Sequence, residues 1–390
     1  MEFAPTPEQE ELRAAVRELC ARFPDEYWRR LDRERAYPAE FVDALTRARY
    51  LAALIPRDYG GLGLGVTEAS IVLEEVNRSG GNPGACHAQM YIMGALVRHG
   101  SEEQKRRWLP PIASGDLRLQ AFSVTEPEAG SDTTGIRTAA RRDGDTYVVD
   151  GHKNWTSRIE QSDLLLLLAR TTPREEVADR TRGLSLFLVD LREVRAAQPD
   201  ALQVARTRTM FNYETYQVTY RNLRVPASSL IGAEGAGFRQ IIDGWNAERI
   251  LLAAEAIGDG YWFVERAARY ARERVVFGRP IGQNQGVQFP LARAYAQVTA
   301  ADLLRYKAAW LFDGGQSCGA EANMAKLLAS EASWAAANAC LDTHGGYGFV
   351  DEYDVERKFR ETRLYQVAPV NNNLVLAYVG NHVLGLPKSY

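Results

Sequence analysis

From Thr6 to about residue 120 the apolar positions recur at helical intervals. Leu12, Ala15, Val16 and Leu19 share one face of a helix that opens at Thr6 and takes Pro7 as its first residue, where a missing N–H is harmless. The same spacing predicts helices over 39–54 and 67–78. Near Gln120 the period shortens. Short strand-like runs at 145–149, 164–169, 184–189 and 216–220, with turn signals such as Asp143-Gly144 between them, predict an antiparallel sheet or barrel. From about Gly237 helical periodicity returns in long stretches of Ala, Leu, Glu and Arg. Three units are therefore expected: helices over 1–120, a β unit over 121–236 and a helical bundle over 237–390.

Helices, then strands, then helices is the wrong order for a doubly wound dinucleotide fold, which alternates strand and helix along the chain. The glycines agree: Gly60-Gly61-Leu62-Gly63-Leu64-Gly65 breaks the GxGxxG spacing and follows a helix-like segment, so it reads as a loop. No GxxxxGKS or GxxxxGKT segment is present.

Composition narrows the class. The 390 residues are 46% hydrophobic and 25% charged, close to globular averages, which argues for a chain folded throughout. A net charge of −3 from 47 basic and 50 acidic residues leaves no footprint for nucleic acid, so an anionic ligand has to be met by local arginines. Cys20, Cys86, Cys318 and Cys340 lie far apart without a CxxC, and reduced thiols are expected. His87, His99, His152, His344 and His382 show no ligand spacing, so no metal site is expected. The N-terminal segment is acidic and not continuously apolar, and the run over 164–169 is too short to span a bilayer, which points to a cytoplasmic protein.

The candidate chemistry sits in four segments. Val124-Thr125-Glu126-Pro127-Glu128-Ala129-Gly130-Ser131-Asp132 can present hydroxyls and backbone N–H groups to a planar heterocycle. Gly151-His152-Lys153-Asn154-Trp155-Thr156-Ser157 sets an indole beside two hydroxyls, suited to stacking on a ring and bonding its edge. Downstream come Arg272-Glu273-Arg274-Val275-Val276-Phe277-Gly278-Arg279-Pro280 with Gln285, then Gly345-Gly346-Tyr347-Gly348. Arg274 can hold a pyrophosphate bidentately, and the glycines allow close backbone approach to it.

In this order, over nearly the whole chain, these segments resemble the acyl-CoA dehydrogenase family. The resemblance implies a mainly α protein with a central β domain: an N-terminal helical domain, a β-barrel-like middle domain and a C-terminal four-helix bundle. It implies FAD in the cleft between them and a homotetramer or homodimer. Carried over by position, Val124 and Thr125 approach the flavin ring, Trp155 covers one face, Ser157 bonds near N5, and Asn371 is a further cofactor contact. Ser131 and Arg249 lie nearer the substrate, an acyl-CoA or acyl-carrier-protein thioester. Arg274, Phe277, Gln285, Gly345 and Gly346 reach the adenosine diphosphate part of FAD across a subunit interface. At Asp342, where the family commonly has glutamine, an adenine-side contact is lost. The implied reaction removes two hydrogens from the Cα–Cβ bond of the thioester, by α-proton abstraction and β-hydride transfer to flavin N5, with an electron-transferring flavoprotein as acceptor.

Where the family commonly carries its glutamate base, after Leu364-Tyr365-Gln366-Val367-Ala368, this chain has Pro369. A second family solution, seen in isovaleryl-CoA and long-chain dehydrogenases, matches Glu248 in Trp245-Asn246-Ala247-Glu248-Arg249. Ile241, Trp245, Glu248 and Leu252 share a helical face, and a carboxylate in an apolar stripe has a raised pKa, which suits a base. The plain alternative is a buried Glu248 paired to an arginine of another helix. Two other functions stand beside this one: a flavin-dependent monooxygenase or N-oxygenase on the same fold, and a catalytically silent FAD- or CoA-binding subunit.

Overall fold

The computed structural model describes residues 4–388. Helix α1 (Pro7–Ala21) begins as expected: the Thr6 hydroxyl accepts from the Gln9 N–H while the Gln9 side chain accepts from the Thr6 N–H. Val16 and Leu19 are buried on its inner face, whereas Ala15, at the shoulder of that stripe, faces solvent. There follow α2 (Asp25–Glu34), α3 (Ala39–Arg47), α4 (Val66–Arg78), α5 (His87–His99) and α6 (Glu102–Ser114). The helix expected over 39–54 stops at Arg47, Arg49 turns left-handed with φ 64°, and Tyr50–Ala52 forms a 3-10 turn. Leu51, Ala52, Ala53 and Ile55 are all buried, and no single helical face could hide so dense a run.

The β unit contains β1 (Leu119–Ser123), β2 (Ala139–Asp143), β3 (Thr146–Ser157), β4 (Leu164–Arg170), β5 (Leu184–Asp190), β6 (Leu202–Arg206), β7 (Thr215–Pro226) and β8 (Leu230–Ile231), with a short helix α7 (Leu191–Ala197) after β5. The strand order is β6-β7-β3-β2-β4-β5-β8, and β1 pairs with β4. The expectation of a purely antiparallel sheet needs correcting, because β1 and β2 both run parallel to β4. Strands β3 and β7 also run well past the apolar runs that announced them, since their mutual ladder continues through polar positions such as His152 and Thr219. The leucines of β4 alternate between two cores. Leu164, Leu166 and Leu168 pack on α5 and α6 residues, while Leu165, Leu167 and Ala169 join Tyr147, Phe187 and Val218. One sheet face is thereby tied to the N-terminal helices.

The C-terminal unit holds α8 (Gly237–Glu273), a hairpin of β9 (Val275–Val276) and β10 (Arg279–Pro280), α9 (Gln285–Asp313), α10 (Gly319–His344), α11 (Val355–Thr362) and α12 (Asn372–Tyr378). No described helix is long and apolar enough to cross a membrane. Helix α8 is the axle of the molecule. Its Ile250, Leu251 and Ile257 share a core with Val72, Leu73 and Val76 of α4 and Ala322 and Ala325 of α10. Gly258 permits the α4 crossing: a Cβ there would lie 2.3 Å from the Glu74 carbonyl oxygen and 2.8 Å from Asn77 Cβ. Gly258→Ala should push α4 away from α8 and cost about 1–3 kcal/mol. Thermal denaturation should show a fall of several degrees, and an unchanged midpoint would mean that the crossing yields without strain.

Candidate active site

The loop after β1 is held by the strand that carries the aromatic candidate. Lys153, fully buried, donates from Nζ to the Val124 carbonyl at 2.7 Å and pairs with Glu126 at 2.9 Å. The Asn154 N–H donates to the Thr125 carbonyl at 2.8 Å. Burial pulls the Lys153 pKa down to about 8 against the opposing pull of Glu126. Glu126 in turn accepts from the Arg137 and Thr138 N–H groups at 2.6 and 2.9 Å. The loop is therefore fastened from below, with Thr125 at its lip.

Beyond Lys153 the β3–β7 register slips, and Trp155 takes a left-handed φ of 60°. A bulky residue in that region is strained and persists only where the surroundings impose it. The slip turns Trp155 outward, 55% exposed. Thr156 points inward to the Ser123 hydroxyl at 2.9 Å, and Ser157 meets Thr215 Oγ1 at 3.2 Å. The indole and the Ser157 hydroxyl thus stand at one strand end, beside Val124 and Thr125.

The C-terminal unit reaches the same region. Asn371 caps α12 by accepting from the Leu374 N–H at 2.9 Å, and its Nδ2 donates to Ser131 Oγ at 3.2 Å. Beneath this segment, buried Lys326 donates to the Val370 carbonyl at 2.5 Å and to Asn372 Oδ1 at 3.0 Å, and burial draws its pKa down to about 8. Two candidates from units far apart in sequence, Ser131 and Asn371, are in contact.

Glu248 lies in the first third of α8, 7% exposed, on the same buried stripe as Ile241 and Leu252. Burial raises its pKa to about 7, with Arg249 and Tyr91 pulling it down and Glu255 pushing it up. Among the described residues no cation comes within 4.0 Å of it, so the arginine pairing considered above is not formed. The Tyr91 hydroxyl lies beside it outside ordinary hydrogen-bond geometry. Arg249 bonds Asn246 at 3.3 Å, rests over Trp245 at 5.7 Å, and has a buried Nε without a partner. Seven residues on, Glu255 is saturated by His87 Nδ1 at 2.6 Å and the Tyr365 hydroxyl at 3.2 Å.

Arg274, Phe277, Gln285, Gly345 and Gly346 form a separate, exposed group. Arg274 ends α8, about 39 Å from Glu248 at 1.5 Å per residue. Its guanidinium lies 5.7 Å from the Tyr347 ring, beside Gly345, which takes φ 56° with nothing within 4 Å of where a Cβ would be. The structure does not bring this group to Trp155 or Glu248. Sequence reasoning gave no role to Tyr91, Glu255, Lys153 or Arg158. Lys153 lies within the 151–157 segment and Arg158 directly follows it, and only their burial sets them apart.

The donor set fits a flavin. An indole is held outward at a strained position, hydroxyls and backbone stand at the lip of a clamped loop, and Asn154 Oδ1 is buried without a partner. This combination of helical units around a sheet, with a ring-stacking site and a buried carboxylate, defines a flavin-dependent oxidoreductase of the acyl thioester class. Profiles for the N-terminal, middle and C-terminal domains of acyl-CoA dehydrogenases match residues 6–116, 121–221 and 235–381. Acyl-CoA dehydrogenase FadE12 of Mycobacterium tuberculosis is 36% identical over 392 residues, covering 100% of this chain and 99% of the relative. A 3-(aryl)acrylate reductase of Clostridium sporogenes is 30% identical over 93% of this chain and 94% of its own. Glutaryl-coenzyme A dehydrogenase in its glutaryl-CoA complex superposes with a TM-score of 0.92 at 29% identity, covering 100% of this chain and 98% of that one. The chain belongs to the acyl-CoA dehydrogenase family, whose cofactor is FAD.

The raised pKa of Glu248 has a stability consequence of defined sign. The folded state holds the proton up to about pH 7, the unfolded chain only to about 4.5, so this group makes stability fall as pH rises between those values. Glu248→Gln should match the wild type near pH 4 and exceed it at pH 8 by roughly 3 kcal/mol. Denaturant titrations at both pH values measure this, and an equal advantage at both would show that the carboxylate is not held neutral.

Proposed function

We propose that this acyl-CoA dehydrogenase uses Glu248 as its base. The observation that carries the reading is a carboxylate buried on α8 with no cation within 4.0 Å among the described residues, its pKa raised to about 7, in a chain where Pro369 stands at the common base position. Such a group is ionised often enough at neutral pH to accept a proton and basic enough to take one from an acidified carbon. Glu248 breaks the α-C–H bond by taking the proton, while the β-C–H bond breaks with its electron pair, leaving an enoyl thioester. When bound, FAD supplies the acceptor for that hydride. Thr125 and Ser157 present hydroxyls to the flavin edge, Trp155 covers a face, and Val124 completes the lip. Arg249, whose Nε is free, and Ser131, held by Asn371, orient the thioester.

Because Arg274 lies so far from Glu248 on the same helix, the pyrophosphate it holds belongs to a second copy's FAD. Phe277, fully exposed at a left-handed turn, and the exposed Phe289, Tyr295, Leu303 and Trp310 of α9 supply apolar surface for a homodimer or homotetramer. An electron-transferring flavoprotein fits as acceptor, since the reduced flavin has to be reoxidised between turnovers.

Glu248→Gln keeps shape and removes proton acceptance. The variant should retain FAD and perturb the flavin spectrum on binding a thioester, yet reduce its flavin about a thousand-fold more slowly in anaerobic stopped flow. Reduction at near wild-type rate would refute the assignment. Arg274→Ala should lower FAD affinity about ten-fold or more by removing a charge-assisted contact, with the variant still an oligomer in light scattering. A wild-type monomer with FAD fully bound would exclude the cross-subunit role.

A further inference from the structure

Directly after the Trp155–Ser157 segment, Arg158 turns back into the protein with φ 59° and is 3% exposed. Among the described residues it has no carboxylate within 4.0 Å. Its Nη1 donates to the Gly84 carbonyl, its guanidinium carbon lies 5.0 Å from the centre of the Tyr213 ring, and its Nε is buried without any acceptor. Tyr213, Tyr91 and Tyr37 are the titratable side chains that most feel its charge. A guanidinium buried without a counter-charge costs several kcal/mol, which a fold does not carry for packing alone.

A second feature points to the same spot. Helix α5 begins three residues past Gly84, and Cys86 at its N-cap gives no side-chain hydrogen bond; the Gln89 N–H turns back to the Cys86 carbonyl at 3.1 Å, and no side chain caps the positive dipole end. Glu255, at the same helix start, is already held by His87 and Tyr365, and the side chain of Glu214, whose carbonyl accepts from the Arg158 N–H, is held by Arg206 and Tyr216. The start of α5 and Arg158 therefore form a buried positive corner. The helix start lies about 6 Å along α5 from Tyr91, the residue beside Glu248. A short acyl chain with its α-carbon at Glu248 and its tail along α5 would end there.

We propose that Arg158 is a specificity-determining residue that takes a terminal carboxylate, so that the substrate is the mono-thioester of a short dicarboxylic acid. This rests on the dehydrogenase reading for the position of the α-carbon. The carboxylate supplies the acceptor that Nε lacks and the counter-charge that the corner lacks, and a methyl terminus would leave both unsatisfied.

The test is calorimetric binding to the FAD-loaded protein of succinyl-, glutaryl- and adipyl-CoA, each against butyryl-, valeryl- and hexanoyl-CoA respectively, with anaerobic flavin bleaching in parallel. In at least one pair the carboxylated member should bind ten-fold or more tightly. Arg158→Met should abolish that preference, and Arg158→Lys should reduce it several-fold, since an ammonium cannot reproduce the planar fork. Equal or tighter binding of the neutral member in every pair overturns the proposal from the wild type alone, whatever the variants' folding. So does a preference that survives unchanged in Arg158→Met or, should that variant not fold, in Arg158→Lys. Failure of the dehydrogenase reading has a different signature: a carboxylate preference in binding with no flavin bleached by any thioester.

Discussion

The structure turns on how three acids are buried along one helix. Glu248, Glu255 and Asp259 recur on α8 at intervals of seven and four, one stripe set against α4, α5 and the C-terminal segment. Asp259 is met by Asn77 at 2.7 Å and Lys358 at 2.6 Å, and Glu255 by His87 and Tyr365. Glu248 alone has no such partner. Buried charge is tolerated where it is paired and shifts its pKa where it is not. The same helix thus holds two acids in paired contacts and leaves the third with a raised pKa, and the close α4–α8 crossing at Gly258 lets Asn77 reach Asp259.

The loop after β1 is organised by the opposite device. Lys153 is a buried cation with its partner in place, and the pair fixes Val124, Thr125 and Glu126 against β3. Removing either member would strand a charge, so the lip of the site is as firmly specified as a core residue although its outer atoms face the cleft. The β3 slip at Trp155 uses that rigidity: a strained backbone is affordable only on a fastened strand.

A division of labour along α8 follows. Its first third belongs to the acid, its middle to the helical core, and its end to Arg274 and an exposed apolar hairpin. Glu248 and Arg274 thus stand about 39 Å apart on one helix, which is why the proposed pyrophosphate role of Arg274 calls for a second copy of the chain.

Much was legible in the residues. The change from helical to strand period and back marks the order of the units, Thr6 and Pro7 mark the first helix, and the leucine run of β4 marks a strand buried on both faces, because these depend on spacing along the chain. Glu248 was legible too, since an acid inside an apolar stripe is a one-dimensional pattern. The parallel pairing of β1 with β4, the early end of α3, the contact of Ser131 with Asn371 and the burial of Lys153 and Arg158 were not. Each joins segments distant in sequence, and nothing local distinguishes a lysine or arginine that will be solvated from one that will be enclosed. The sequence by itself determined the periodicities, the order of the units and the family motifs; the tertiary structure decided which charges keep a partner, because desolvation is a property of the packed whole.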